Sequence, residues 1–320
     1  MIAPSVLADL RSRFDKRLLE DQPLAKYTSA RLGGPADALL TAESADELAE
    51  TVSALWQLDV DFILLGGGSN LLVSDLGLRG VVVLNKANAV SFDEEKPSVW
   101  AESGKNFGSL ARQAARKGFS GLEWAAGIPG TVGGAVVGNA GAHGGETAKT
   151  LELAEVLHLQ DGRTIWPVEK FDYGYRSSGL KANALPDQPR PQPQAVVLGA
   201  SFKLSHGDRE AIQAELDENL EFRRRTQPPG ASMGSMFKNP PGDYAGRLIE
   251  AAGMKGSRVG GAGISDLHAN FFINYGEARA ADVYALIKQV RQAVFQQSGV
   301  ALELEIELVG DWPLSADASE

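Results

Sequence analysis

Three short strings of this chain place together side chains suited to proton or anion chemistry. In Gly234-Ser235-Met236-Phe237-Lys238-Asn239-Pro240 a hydroxyl, an ammonium and an amide crowd beside apolar residues. Such a set can bind an anionic substrate and place a hydroxyl as proton donor. A lone serine is a feeble acid, and a cap or turn is the plainer use of Ser235. Tyr173-Gly174-Tyr175-Arg176-Ser177-Ser178 carries an arginine flanked by aromatics, the residue type that grips a carboxylate or phosphate with a planar fork. In Leu302-Glu303-Leu304-Glu305-Ile306-Glu307-Leu308, alternation puts four aliphatics on one face of a strand and three glutamates on the other. Periodicity does not say which glutamate, if any, faces a cleft rather than solvent.

Two glycine-dense strings supply a different kind of surface. Leu64-Leu65-Gly66-Gly67-Gly68-Ser69-Asn70-Leu71-Leu72 delivers a buried strand into three glycines, where backbone N–H groups can face an anion with no Cβ in the way. A pyrophosphate is the natural guest, and a tight turn the simpler alternative. From Gly127-Ile128-Pro129-Gly130-Thr131-Val132-Gly133-Gly134 to Asn139-Ala140-Gly141-Ala142-His143-Gly144-Gly145, glycine and alanine alternate with apolar residues. That suits backbone packed against something flat or polyanionic, or else close helix packing, because a flexible linker would be polar. Neither string is GxGxxG and no GxxxxGK[ST] occurs, so a Rossmann dinucleotide fold and a Walker nucleotidase are both disfavoured. These strings suggest a dinucleotide held some other way.

Composition removes other chemistries. Cysteine is absent, which rules out disulfides, thiolate nucleophiles and cysteine-ligated zinc or iron–sulfur centres and fits a reducing, cytoplasmic compartment. Four scattered histidines (His143, His158, His206, His268) and no HExxH leave no expected metal site. A formal net charge of −10 argues against nucleic acid. Arg223-Arg224-Arg225 ends a helix-like segment and reads first as a cationic last turn, with a phosphate contact as the alternative. No apolar run approaches a membrane span, and Met1 to Gln22 reaches charge too soon for a signal sequence.

These residues need elements to position them, and 320 residues exceed what one core usually organises. Leu7 to Leu19 has helical spacing, and Ser44-x-x-Glu47 is a capping-box signature for a second helix. Strands are expected at Phe62–Leu65 and Val81–Leu84, so residues 1–86 form a first unit. Residues 87–206 form a second, β-rich unit with strands at Val99–Glu102, Leu153–Gln160, Arg163–Val168 and Ala195–Leu204, and Asp161-Gly162 marks a hairpin. Pro186 to Pro193 reads as an exposed loop. Residues 207–310 alternate helix and strand: Asp208–Arg225, Ser235–Phe237, Tyr244–Ala252, Phe271–Asn274, Arg279–Ser298, Ala301–Val309. They form a third, α+β domain, and the acidic residues 311–320 a disordered tail.

In their order and spacing these strings resemble the UDP-N-acetylenolpyruvoylglucosamine reductase family. The resemblance runs from about Pro23 to Gly310. It begins at Thr28-Ser29-Ala30-Arg31-Leu32-Gly33-Gly34-Pro35-Ala36 and takes in the glycine strings, Tyr175-Arg176, Gly-Ser-x-Phe-Lys-Asn-Pro, His268 to Asn274, and Leu302 to Gly310. It implies an α+β fold, with a two-part FAD-binding domain of the vanillyl-alcohol-oxidase type followed by a smaller α+β substrate domain. It also implies non-covalent FAD, NADPH as reductant, UDP-N-acetylglucosamine enolpyruvate as substrate, and a monomer. Residues 252–274 look like the shorter subclass; Leu304 stands where the family often has proline, and the proline-dense loop looks like an insertion.

By the same resemblance Arg176, Ser235 and Glu305 are catalytic, and Tyr175, Lys238 and Asn239 join them in binding substrate. Arg31, Leu65, Gly66, Gly67, Gly68, Ser69, Asn70, Leu71, Gly127, Ile128, Pro129, Gly130, Thr131, Val132, Gly133, Gly134, Asn139 and Gly141 would line the cofactor. Two other readings stay open: an FAD-dependent sugar or alcohol oxidase on the same fold, and a non-catalytic flavin- or nucleotide-sugar-binding protein.

Overall fold

The computed structural model describes residues 2–181 and 192–312. Most of the proline-dense loop and of the acidic tail therefore lies outside the described residues.

The first glycine string hangs from a four-stranded sheet ordered Leu18–Pro23, Pro35–Ala42, Leu78–Asn85, Phe62–Leu65, antiparallel at the first pair and parallel after it. The parallel strands are apolar almost without interruption, as strands buried on both faces must be. The helix Ala45–Gln57 covers one face with Leu48, Val52 and Leu55. Ser44 Oγ accepts from Glu47 N at 3.2 Å as the signature predicts, but the Glu47 carboxylate accepts from Glu43 N at 2.9 Å, one residue outside the expected box. The N-terminal helix is shorter than its spacing suggests, running Pro4–Phe14. Leu18 and Leu19 instead pair with Leu40 and Leu39 at the sheet edge, a tertiary contact that overrides local periodicity.

The second unit is a five-stranded antiparallel sheet ordered Gly162–Pro167, Leu151–His158, Ala195–Lys203, Ser98–Glu102, Val90–Asp93. The Asp161-Gly162 hairpin forms, with Gly162 at φ +69° and His158 paired to Gly162. Phe107, from the helix Phe107–Lys117, anchors the core against Phe202 and Trp124, at ring separations of 5.4 and 5.6 Å. The long helix Arg209–Thr226, capped by Asp208, opens the C-terminal third of the sequence yet inserts Ile212 and Leu216 into this second core.

The last unit is a small antiparallel sheet ordered Ala231–Ser235, Phe271–Asn274, Ala262–Ile264, Arg258–Val259, packed under the helices Ala245–Ala251 and Ala280–Ser298. The single strand expected over 301–309 is not there. Only Glu307–Val309 is a strand, parallel to Leu71–Val73, while Leu304 makes an isolated bridge to Phe237. The segment changes partner midway, so it cannot keep one ladder. Its fully buried side chains are Leu302, Ile306 and Val309 rather than every second residue. No described helix is long and apolar enough to cross a membrane, and no described group of His, Asp and Glu could hold a metal.

Candidate active site

The two glycine strings, distant in sequence, meet in space. A Cβ on Gly67 would stand 2.9 Å from Gly130 Cα, and one on Gly66 would stand 2.5 Å from Thr131 Oγ1. Any side chain there would pry the strings apart. Gly68 has φ +60°, and a Cβ on it would strike the Tyr27 carbonyl. This packing lets Ser29 N donate to Gly68 O at 2.9 Å and Ser29 Oγ to Gly67 O at 3.3 Å, so the segment carrying Arg31 closes a third side. Thr131 Oγ1 accepts from Gly134 N at 3.4 Å and starts the short helix Val132–Gly138, while Val132 N and Gly133 N donate to Lys105 O and Ser103 O, both at 2.8 Å. Beside the strings lies a cavity of about 260 Å³ lined by Gly66, Gly67, Thr28, Ser29, Tyr27, Leu84 and two lysines, Lys26 and Lys86.

Not every glycine is explained by this packing. Gly134 would place a Cβ no closer than 3.7 Å to any neighbour, and Gly138 would meet nothing within 4 Å. Their bareness is not demanded by the protein's own atoms, which fits a ligand lying against the helix. Gly127 differs, since the Arg223 side chain crosses it closely enough to fill the space of a Cβ. Ile128 packs partly on the second core, Pro129 is exposed, and Gly141 pairs with Glu146 in a two-residue hairpin. Leu65 is buried at the end of its strand.

Asn70 ties this cradle to the glutamate string. Its Nδ2 donates to Glu305 O at 3.2 Å and its carbonyl accepts from Glu307 N at 2.9 Å, while Leu71 pairs with Glu307 in the ladder. From the other side Glu305 N donates to Met236 O at 2.9 Å, and Lys238 N to Glu303 O at 2.9 Å. Ser235 and Glu305 are thereby brought onto neighbouring backbone. The Ser235 hydroxyl makes no hydrogen bond among the described residues. Lys238 Nζ pairs with Glu303 at 3.3 Å, and Asn239 Oδ1 accepts from Ala245 N at 3.0 Å at the start of a helix.

Glu305 is turned inward and Glu303 outward. The Glu305 side chain is 17% exposed against 77% for Glu303, and Arg176 Nε lies 3.0 Å from the Glu305 Oε1. The Nε–H has no aligned acceptor, so the contact is an ion pair held by charge rather than by a directed hydrogen bond. Burial pushes the Glu305 carboxyl above the usual range, with Arg176, Lys181 and Lys238 pulling the other way. Arg176 sits in a tight turn, where Gly174 N donates to Ser177 O at 3.1 Å and Ser177 N to Gly174 O at 3.3 Å. Its φ of +54° costs a non-glycine residue roughly 1–2 kcal/mol, strain of the kind kept where a side chain is being aimed. Tyr175 beside it is exposed, with the guanidinium 5.8 Å from its ring.

Asn139 has a different employment from a direct cofactor contact. It is buried, its Nδ2 donates to Gly174 O at 3.0 Å, and its Oδ1 accepts from Ala148 N at 3.0 Å. Its amide is committed to latching the Arg176 turn onto the glycine helix. Of the arginine run, Arg224 pairs with Glu221 on the surface, whereas Arg223 turns inward over Gly127. Burial, and then the charge of Arg176, hold its guanidinium below the usual range. All three arginines lie in the last turn of the helix, as the cationic-last-turn reading expects, and Arg223 in addition crosses Gly127. His143 stands edge-on to Phe222 at 5.5 Å, and partial burial and then the charge of Arg223 hold its imidazole below the usual range.

The chain has counterparts among named proteins. The enzyme named UDP-N-acetylenolpyruvoylglucosamine reductase in Chloroflexus aggregans is 43% identical over 296 residues, covering 91% of this chain and 97% of its own. The chain belongs to the UDP-N-acetylenolpyruvoylglucosamine reductase family. The Bacillus subtilis member is 39% identical over 95% of this chain and 98% of its own. The crystal structure of the Thermus caldophilus reductase is 37% identical, with a TM-score of 0.75, covering 91% of this chain and 98% of that one. Residues 36–166 match an FAD binding domain, and residues 226–309 the C-terminal domain of this reductase family. The family fold, a two-part FAD-binding domain followed by a smaller α+β domain, is thus the fold of this chain.

Four cations near these residues were not among the expected site residues: Lys26 and Lys86 at the cavity, Lys181 behind Arg176, and Arg223. Only Arg223 carried any signal, as part of a basic run. The others are single lysines in ordinary surroundings, and nothing local distinguishes them.

Proposed function

We propose that this protein reduces the enolpyruvyl ether of UDP-N-acetylglucosamine enolpyruvate to the lactyl ether of UDP-N-acetylmuramate, with NADPH as reductant and FAD bound non-covalently. It would act as a cytoplasmic monomer supplying peptidoglycan precursor. The observation that carries this reading is the partly buried Arg176–Glu305 pair, which Asn70 ties to the glycine cradle and a backbone bond ties to the Ser235 strand.

Gly66 to Ser69, Gly130 to Gly134 and the Arg31 segment would hold FAD. When bound and reduced, FAD supplies the hydride. The protein's own task is the charge that hydride addition at the vinyl methylene drives through the adjacent carbon into the carboxylate. Arg176 meets that charge with its guanidinium, and Glu305, whose carboxyl burial pushes upward, would donate to the same carboxylate once it takes up a proton. The pair is pre-aimed and only partly exposed, so its field is screened less by water than that of a surface pair. Ser235, with its hydroxyl free, then protonates the remaining carbon, so that the double bond gains one hydride and one proton in all. Lys238, pinned to Glu303 beside Ser235, adds positive charge that eases loss of the hydroxyl proton. Asn239 and Tyr175 would contact the sugar nucleotide.

Ser235→Ala tests the reading. Flavin reduction by NADPH should proceed at its normal rate, whereas reoxidation by the enolpyruvyl sugar should slow by about 10²–10⁴-fold, the usual worth of a positioned acid. Equal slowing of both half-reactions would remove Ser235 from the role.

A further inference from the structure

We propose that Lys181 is a positioning residue of this site, whose ammonium, by holding the Arg176 carbonyl, keeps the Arg176 guanidinium against Glu305. The inference rests on the reading of Arg176 and Glu305 as the pair that receives the substrate carboxylate.

The turn bearing Arg176 is anchored at three places. Asn139 Nδ2 holds Gly174 O at 3.0 Å, Ser178 Oγ donates to Val137 O at 2.6 Å, and Lys181 Nζ donates to Arg176 O at 3.1 Å. The first two fix the flanks. Only the third fastens Arg176 itself, and Arg176 is the residue whose left-handed backbone is least favourable on its own. Lys181 N donates to Ser178 O at 3.0 Å, so a second turn folds the lysine back over the first.

The ammonium is well placed for this use. It is partly buried, and the carboxylates that offset its desolvation are Glu307 and then Glu305, on the segment that Arg176 faces. Lys181 therefore spans the two halves of the pair, bonded to the backbone of one and electrostatically coupled to the other. The Arg176–Glu305 contact needs such support. At 3.0 Å with no aligned N–H, it lacks the directional bond that would otherwise fix a guanidinium, so its geometry depends on how the main chain is held.

The test uses the FAD-loaded enzyme and anaerobic stopped-flow measurement of both half-reactions. K181M, which keeps length but loses the donor and the charge, should retain FAD and be reduced by NADPH normally. Its reoxidation by the enolpyruvyl sugar should slow about ten- to a hundredfold, the scale of a misaimed group, with little change in substrate affinity. K181R should recover most of the lost rate. In an Arg176→Ala background, K181M should slow reoxidation no further, because its effect passes through Arg176. Equal slowing of both half-reactions, or multiplication of the K181M and Arg176→Ala effects, would overturn the proposal. If the methionine variant does not fold, K181Q carries the same comparison. Failure of the underlying functional reading looks different: reduced wild-type flavin would then not be reoxidised by the enolpyruvyl sugar at all.

Discussion

Gly134→Ala separates what the protein needs from what its ligand needs. Gly134 lies inside the helix Val132–Gly138, and an added methyl would meet only Thr131 Oγ1, at an ordinary 3.7 Å. Its N–H bond to Thr131 survives the change, since alanine keeps the donor. The flavin-free protein should therefore gain, by up to about 1 kcal/mol, the usual advantage of alanine over glycine in a helix interior. FAD binding should move the other way. If the glycine face carries the cofactor, a methyl forced into that contact costs about 1–3 kcal/mol, or roughly 5- to 150-fold in affinity at 1.4 kcal/mol per decade. Gly67→Ala is the contrasting case. Its Cβ would stand 2.9 Å from Gly130 Cα, backbone against backbone, so apoprotein stability and FAD affinity should fall together. Urea unfolding of the stripped protein and titration of FAD by fluorescence quenching measure the two quantities. A Gly134→Ala apoprotein that is stabilised yet binds FAD as tightly as wild type would show that no ligand approaches this helix, and the cradle would have to be redrawn.

Other consequences follow from the same contacts. Glu305 has a folded pKa above its unfolded value near 4.5, so the native state holds that proton longer and stability falls as pH rises from about 4.5 through the folded pKa. Glu305→Gln should escape this loss: its stability relative to wild type should grow over that window and then level off in denaturant titrations. A constant difference across pH would refute burial as the cause. Asn139→Ala removes the bonds that the buried Asn139 amide makes to the Gly174 carbonyl and the Ala148 N–H, and should destabilise by about 1–2 kcal/mol. It should also slow reoxidation by the enolpyruvyl sugar more than reduction by NADPH, because the turn it releases carries Arg176. Unchanged unfolding midpoints would contradict the latch.

Much of this protein was legible in its residues. Strand Phe62–Leu65 running into glycine, strand Phe271–Asn274 and the helix capped by Ser44 all appear where propensity and spacing put them, because each is specified by neighbours within a few residues. The absence of cysteine, the two glycine strings and the order of the motifs were likewise properties of the chain alone. The tertiary structure decided which side chains face the cleft. Three glutamates alternate identically in sequence, yet Glu305 turns inward and Glu303 outward, because the segment leaves Phe237 for Leu71–Val73 partway along and breaks its own period. Arg223 and Arg224 are adjacent and alike, but only one finds a bare glycine to cross. Asn139 and Lys181 gained their places from the Arg176 turn, a partner distant from one and brought back over the other by a second turn. Local pattern fixes backbone form within a few residues; the direction of a polar side chain in an irregular segment is set by partners that only the completed fold brings near.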